Sequence, residues 1–214
     1  MILKTTRVKR TSGHLPLWRH LNRTDHNEEM ILHRGCEQDL RDMFRDAYRA
    51  GTTYGCRHVA INPAQGEHLN AAQAQRVAEL YAREFGGDPA SVILFEHKKP
   101  RAEPGGYERH FHAAIAEWNP VTQRVMDSKA MYRRNELVAR QLEAVFGNEP
   151  TRGRHNRAVY HELLRRGHEQ TAQAIQHLTE GAPAIADAGK QEYQRSQRLG
   201  WSHHDVKAAV QTAW

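Results

Sequence analysis

Two neighbouring segments constrain the fold of this chain more than any other feature. SVILFEH, at 91–97, is an apolar, β-branched run. HFHAAIAEW, at 110–118, alternates along its length. A charged, glycine-bearing stretch, KKPRAEPGGYER, joins them. The pattern predicts two antiparallel strands paired as a hairpin, and therefore a sheet at the centre of the molecule. Around it, periodicity predicts further strands at 3–9, 29–34 and 58–62. Helices are expected at 18–23, 36–50, 70–85 and 128–146, with Asn70 and Ser128 as candidate caps. The order of elements points to an α+β fold, with helices covering one side of a largely antiparallel sheet. The expected organisation is a domain over 1–150 and a basic to polar helical extension over 151–214. That later stretch is rich in Gln and Ala and poor in large apolar anchors.

The hairpin also gathers histidines. Residues i and i+2 of a strand share a face, so His110 and His112 project together. If the strands pair, His97 returns beside them across the loop. Three imidazoles then converge, and neutral imidazole is a common ligand for divalent transition metals. Three protein ligands leave positions open for substrate oxygens. An HxH pair alone is a weak signal in a chain with 15 histidines, and His203-His204 reads as a chance pair. The third histidine at the end of the adjoining strand is what gives the pattern weight. Mg, Mn, Zn and Ni all suit such a site to different degrees, with Mg or Mn expected in use.

Charge and hydropathy narrow the function classes. The net charge is +6, which suits a polyanionic partner. Mean hydropathy is −0.82, and no run approaches the ~18 apolar residues that span a bilayer, so membrane insertion is not expected. MILKTTRVKR lacks the apolar segment of a secretory signal, and a cytoplasmic location follows as the default expectation. Cys36 and Cys56, the only cysteines, do not make a disulfide framework.

His97, the polar loop and HFHAAIAEWNPVTQRV together resemble the third motif of plasmid relaxases. These are HUH-type nucleases that start conjugative transfer. The flanking RHVAINPAQGEHLNAAQAQRVAELYAREFG and NPVTQRVMDSKAMYRRNELVARQLEAVFG are similar to the elements on either side of that motif, so the resemblance spans Trp18 to Gly147. It implies metal-dependent, site- and strand-specific nicking by transesterification at a transfer origin. It also implies single-stranded DNA as partner, with accessory relaxosome proteins and a type IV coupling protein as further candidates.

Many relaxases carry a catalytic tyrosine near the N-terminus, whereas this chain has no tyrosine before Tyr48. It has RHLNRTDHNEE, Arg19 to Glu29, similar to relaxases in which a histidine in an HxxR segment replaces the tyrosine. That resemblance makes His20 the candidate nucleophile and Arg23 its matching arginine, with a 5′-phosphohistidine intermediate. His26 is a second candidate; Tyr54 and Tyr107 are poorer ones. Asp25 or Glu28 is placed to orient or deprotonate the imidazole, and Asn27 to orient a site group. His58 opens a strand beside the site and is a candidate to support a metal ligand.

Candidate phosphate contacts are Lys98, Lys99, Arg101 and Arg109, then Arg133 and Arg134, then Arg152, Arg154 and Arg157. Trp18 and Tyr107 are candidates to stack on a base, although packing is the more ordinary role for either. Three other readings stay open. In the first, a replication initiator or transposase uses Tyr132 on the helix after the metal motif. The second is a non-catalytic DNA-binding module with a metal site, and the third is a zinc hydrolase. A monomer is the default, and relaxases often carry a further C-terminal domain.

Overall fold

The hairpin lies at the heart of the molecule. A computed structural model describes residues 1–23, 29–64, 66–100, 107–181, 199, 200, 205, 209, 210 and 212, with 99, 100, 107 and 108 described by backbone alone. Strand β4 (Ile93–Pro100) pairs antiparallel with β5 (Tyr107–Ala116), placing His97 opposite His110. On the other side β5 pairs with β3 (Tyr54–Asn62), and β3 with β1 (Ile2–Lys9). Strand β2 (Glu29–Arg34) closes the far edge against β4. The five-stranded sheet therefore runs β1-β3-β5-β4-β2, with every pairing antiparallel. The chain is α+β, as its pattern of elements implied.

Helices cover both faces of this sheet, where the sequence suggested one. The reason lies in the inner strands, which are apolar at both parities. On β5, Phe111, Ala113 and Ile115 point one way, into a core with Val59, Ile61, Val77, Tyr81 and Val138. That face is packed by α3 (Ala71–Glu84) and α4 (Met131–Phe146). Ala114 and Ala116 point the other way, joining Cys56, Ile93, Phe95, Leu21, Leu40 and Phe44. Here α1 (Leu15–Leu21) and α2 (Glu37–Arg49) supply the cover. A sheet apolar on both sides needs two helical layers.

Local chemistry sets the ends of these elements. Asn70 caps α3, its side chain accepting from the Gln73 amide while Gln73 returns a bond to the Asn70 amide. Ser128 does not cap α4. Asp127 accepts from the Lys129 amide and holds a turn there, so the helix starts at Met131 after Ala130 in a left-handed conformation. Strand β3 begins at Tyr54, four residues earlier than its apolar pattern suggested. Gly55 lets the strand pass under α2, since a Cβ there would meet the Phe44 ring at 2.6 Å. Arg57 is fully buried and bonds Glu117 through Nε at 3.1 Å. A short two-stranded ribbon, β6 (Trp118–Asn119) with β7 (Arg124–Val125), follows β5.

Past residue 150 the same unit continues. Helices α5 (Asn156–Arg165) and α6 (Glu169–Ile175) bury Val159, Leu163, Ala172 and Ile175 against Leu137 of α4. This unit runs Met1–Gly181, and a second spans Ala182–Trp214. No described helix is long and apolar enough to cross a membrane. Cys36 is exposed, Cys56 is buried, and neither is bridged.

Candidate active site

Strand parity decides where the histidines go. His110 and His112 share the α1/α2 face of β5 with Ala114, and His97 shares that face of β4 with Phe95. All three are buried, with 3%, 5% and 8% of their surface exposed for His97, His110 and His112. Among the described residues they form a group whose candidate ligand atoms all lie within 4.8 Å of one another. The rings stand edge-on or tilted, with centroids 4.5 to 5.5 Å apart. Three imidazoles gathered in a buried cluster suit a divalent ion of the imidazole-binding kind.

Two of these rings are held by their neighbours. His97 Nε2 lies 2.7 Å from the carbonyl oxygen of Leu21, at the end of α1. A carbonyl can only accept, so that nitrogen carries the proton and the lone pair of neutral His97 is on Nδ1. His112 Nδ1 lies 2.8 Å from Nε2 of His58 on β3, and the two rings stack at 4.9 Å. His58 is half-buried. Desolvation, and then the charges of His20 and His97, lower its pKa to about 4. It is therefore neutral at physiological pH.

Helix α1 brings the candidate nucleophile to this face. Leu17 and Leu21 anchor the helix in the core, and Trp18 packs edge-on against Phe95 at 5.4 Å. Packing is thus the observed role of Trp18. His20, on the same helix, is exposed, and its ring stands 5.8 Å from His58 and 6.5 Å from His112. Arg23 is exposed just beyond α1. Asp25, His26, Asn27, Glu28 and Arg101 lie outside the described residues, as do the side chains of Lys99 and Tyr107.

The other basic candidates are not gathered here. Lys98 and Arg109 alternate with His97 and His110, so they lie on the opposite face. There Arg109 is bonded to Glu96 and is 3.5 Å from Glu29, while Glu96 also meets His33 at 2.7 Å. Arg133 and Arg134 belong to α4, in the layer across the sheet. Arg133 is exposed. Arg134 bonds Glu84 at 2.8 Å and Asp127 at 2.7 Å, and its guanidinium covers the Phe85 ring. Arg157 is on α5, which packs on α4, and Arg152 donates to the Glu180 carbonyl at 2.7 Å. Arg154 is exposed between those helices. Tyr132 is exposed on α4, across the sheet from the histidine group. Tyr54, at the start of β3, lies under the Arg7 guanidinium at 3.8 Å.

Among the described residues, the Leu21 carbonyl is a part of the site that the sequence could not reveal, because a backbone acceptor leaves no trace in residue type. The pairing of His58 with His112 had a signal: His58 and Cys56 share a strand parity, which puts both on the histidine face.

Two solved structures of the conjugative relaxase TrwC, both in complex with oriT DNA, are similar to the chain. The metal-free one is 12% identical with a TM-score of 0.38, over 94% of this chain and 100% of the other. The metal-bound one is 11% identical with a TM-score of 0.36, over 94% and 99%. Curated protein sequences give no match. The profile of the relaxase family described as the MobA/VirD2-like nuclease domain matches residues 20–148, more than half of the chain. The protein therefore belongs to the MobA/VirD2-like relaxases, enzymes that act on DNA as nucleases.

Proposed function

We propose that the protein nicks one DNA strand at a transfer origin by transesterification, with His20 as nucleophile, and so initiates conjugative transfer. The observation that carries this reading is the position of His20. It is an exposed imidazole on α1, on the same sheet face as the buried histidine group and within 6.5 Å of one of its rings. Tyr132, the nucleophile of the rival initiator or transposase reading, belongs to the helical layer on the other side.

In this reading His97, His110 and His112 hold a divalent ion. When bound, it supplies a positive charge that polarises the scissile phosphate and steadies the developing negative charge. The remaining roles fall to the chain itself. Neutral His20 presents a lone pair to phosphorus, and an N–P bond forms as the P–O3′ bond breaks. The departing 3′ oxygen takes a proton from water, and the hydroxide left behind takes the other N–H proton of the imidazole. The 5′ end stays on His20 as a phosphohistidine, which keeps the reaction reversible by a 3′-hydroxyl. Arg23, exposed beside α1, is suited to a phosphate contact that positions the strand. Lys98, Lys99, Arg101 and Arg109 would contact DNA beyond the site itself, since Lys98 and Arg109 face away from the histidine group. Arg133 and Arg134 would serve a more distant stretch of DNA. Accessory relaxosome proteins and a coupling protein are the partners such an enzyme would require. Mg or Mn is the proposed ion.

A covalent-adduct gel tests this reading. The protein is incubated with labelled single-stranded origin DNA and Mn or Mg, with a chelator control, and resolved under denaturing, non-acidic conditions. A metal-dependent shifted band that maps to His20 is expected and should vanish in His20→Ala. An undiminished band in that variant would move the nucleophile elsewhere. DNA binding with no band at all would favour a binding module.

A further inference from the structure

His58 touches the metal group without belonging to it. It sits on β3 between His112, whose Nδ1 it meets at 2.8 Å, and the edge of His20, 5.8 Å away. The two histidines cannot share that bond in just any way. One proton lies between His58 Nε2 and His112 Nδ1. If His58 donates it, neutral His112 must carry its own proton on Nε2, and neither nitrogen then has a lone pair for an ion. If His112 donates, its Nε2 is a bare donor, and His58 carries its proton on Nδ1.

We infer that His58 is a positioning residue that accepts from His112 Nδ1 and so holds His112 in the tautomer whose Nε2 binds the ion. The inference rests on the three-histidine metal reading above. The same logic applies across the site, where the Leu21 carbonyl holds the tautomer of His97. One ring is thus set by an acceptor from α1 and another by an acceptor from β3. Partners of this kind orient metal ligands, and losing one typically costs roughly 10- to 100-fold in metal affinity. Stacking between His58 and His112 adds an independent restraint on the ring plane.

The test separates accepting from mere packing. Mn²⁺ is titrated by calorimetry into the wild-type protein and into His58→Gln, His58→Phe and His112→Ala, with melting temperature measured alongside. Gln keeps an acceptor near the Nε2 position, whereas Phe keeps the ring and loses the acceptor. Expected is a roughly 10- to 100-fold loss of Mn²⁺ affinity in His58→Phe and a value within a few-fold of wild type in His58→Gln. Equal losses in both, or wild-type affinity in the Phe variant, would overturn the inference. Wild-type affinity in His112→Ala would instead overturn the metal reading itself, and this inference with it. A long-range ¹H–¹⁵N spectrum of the metal-free wild type needs no variant to fold. It should show the His112 proton on Nδ1, and a proton on Nε2 would refute the assignment.

Discussion

On the α3/α4 face of the sheet, Phe111, Ala113, Ile115, Val59 and Ile61 are fully buried among aliphatic and aromatic side chains. One residue along the same strands, His110, His112 and His58 face the opposite way, toward a layer made of a seven-residue helix and α2. The dry core of that face is held by two helices of 14 and 16 residues, and Glu96 and Arg109 lie beyond it toward the strand ends. The histidine face is apolar only at one end, where Phe95, Ala114 and Cys56 meet Leu40 and Phe44. At the other end, polar groups replace the hydrocarbon, and the short helix leaves His20 exposed. On the proposed function, stability and chemistry are divided by strand parity, and substitutions at adjacent positions should have different consequences.

The largest expected effect falls on the histidine face. His97→Ala or His112→Ala should lower metal-dependent cleavage by more than ~100-fold while leaving weak DNA binding, as measured on single-stranded origin DNA. The melting temperature should change far less. A variant that still cleaves at the wild-type rate would remove the basis for treating this face as the chemical one. Phe111→Ala, between two of those histidines in sequence, should do the reverse. It opens a cavity in the dry core and should cost about 3–5 kcal/mol in denaturant unfolding. Mn²⁺ affinity of the folded fraction should be retained. Loss of metal binding without loss of stability would break the division between faces.

Much of this division was legible in the residues. The alternation of HFHAAIAEW assigns His110 and His112 to one face and Phe111 to the other, and the paired run SVILFEH returns His97 beside them. The HxxR resemblance made His20 the candidate nucleophile, with His26 as a second. Other features were hidden for physical reasons. Gly55 and Arg57 interrupt the apolar pattern of β3, yet Gly55 is there for clearance under Phe44 and Arg57 for a buried pair with Glu117. A charge run does not disclose its partners, so Arg109 and Arg134 read as phosphate contacts while Glu96, Glu84 and Asp127 engage them in the fold. The second helical layer followed from apolar residues at both parities, which short runs obscure.

A smaller effect should appear on the dry side as a pH dependence. Glu84 lies between Arg134 and Arg166. Burial alone would raise its pKa, but hydrogen bonds and charge from Arg166 and Arg134 outweigh that and lower it below the ordinary value. A carboxylate with a depressed pKa stabilises the fold above its unfolded pKa of ~4.3, and the contribution is lost as pH falls through the lower folded value. Glu84→Gln should therefore cost about 1–2 kcal/mol at neutral pH and progressively less in acid. Parallel unfolding curves for variant and wild type at every pH would show that the pair does not couple to folding. Cleavage at neutral pH should stay close to wild type in this variant, since the cluster lies in the layer opposite His20.

The smallest expected effect is the sharpest test of the two faces, because it depends on position alone. Tyr132 has the right chemistry for a nucleophile, lies on a helix after the metal motif, and is exposed. By composition and order along the chain it competes with His20. By parity and layering it does not, because α4 packs against the Val138 and Leu142 side of the core while the histidine rings point to α1. Tyr132→Phe removes only the hydroxyl from an exposed ring, so stability should move by less than ~0.5 kcal/mol. The metal-dependent adduct should form at the wild-type rate. A lost adduct in Tyr132→Phe with an intact one in His20→Ala would reverse the assignment and favour the initiator or transposase chemistry. It would also require α4 to deliver a side chain around the edge of a five-stranded sheet, past β1, which borders that helix.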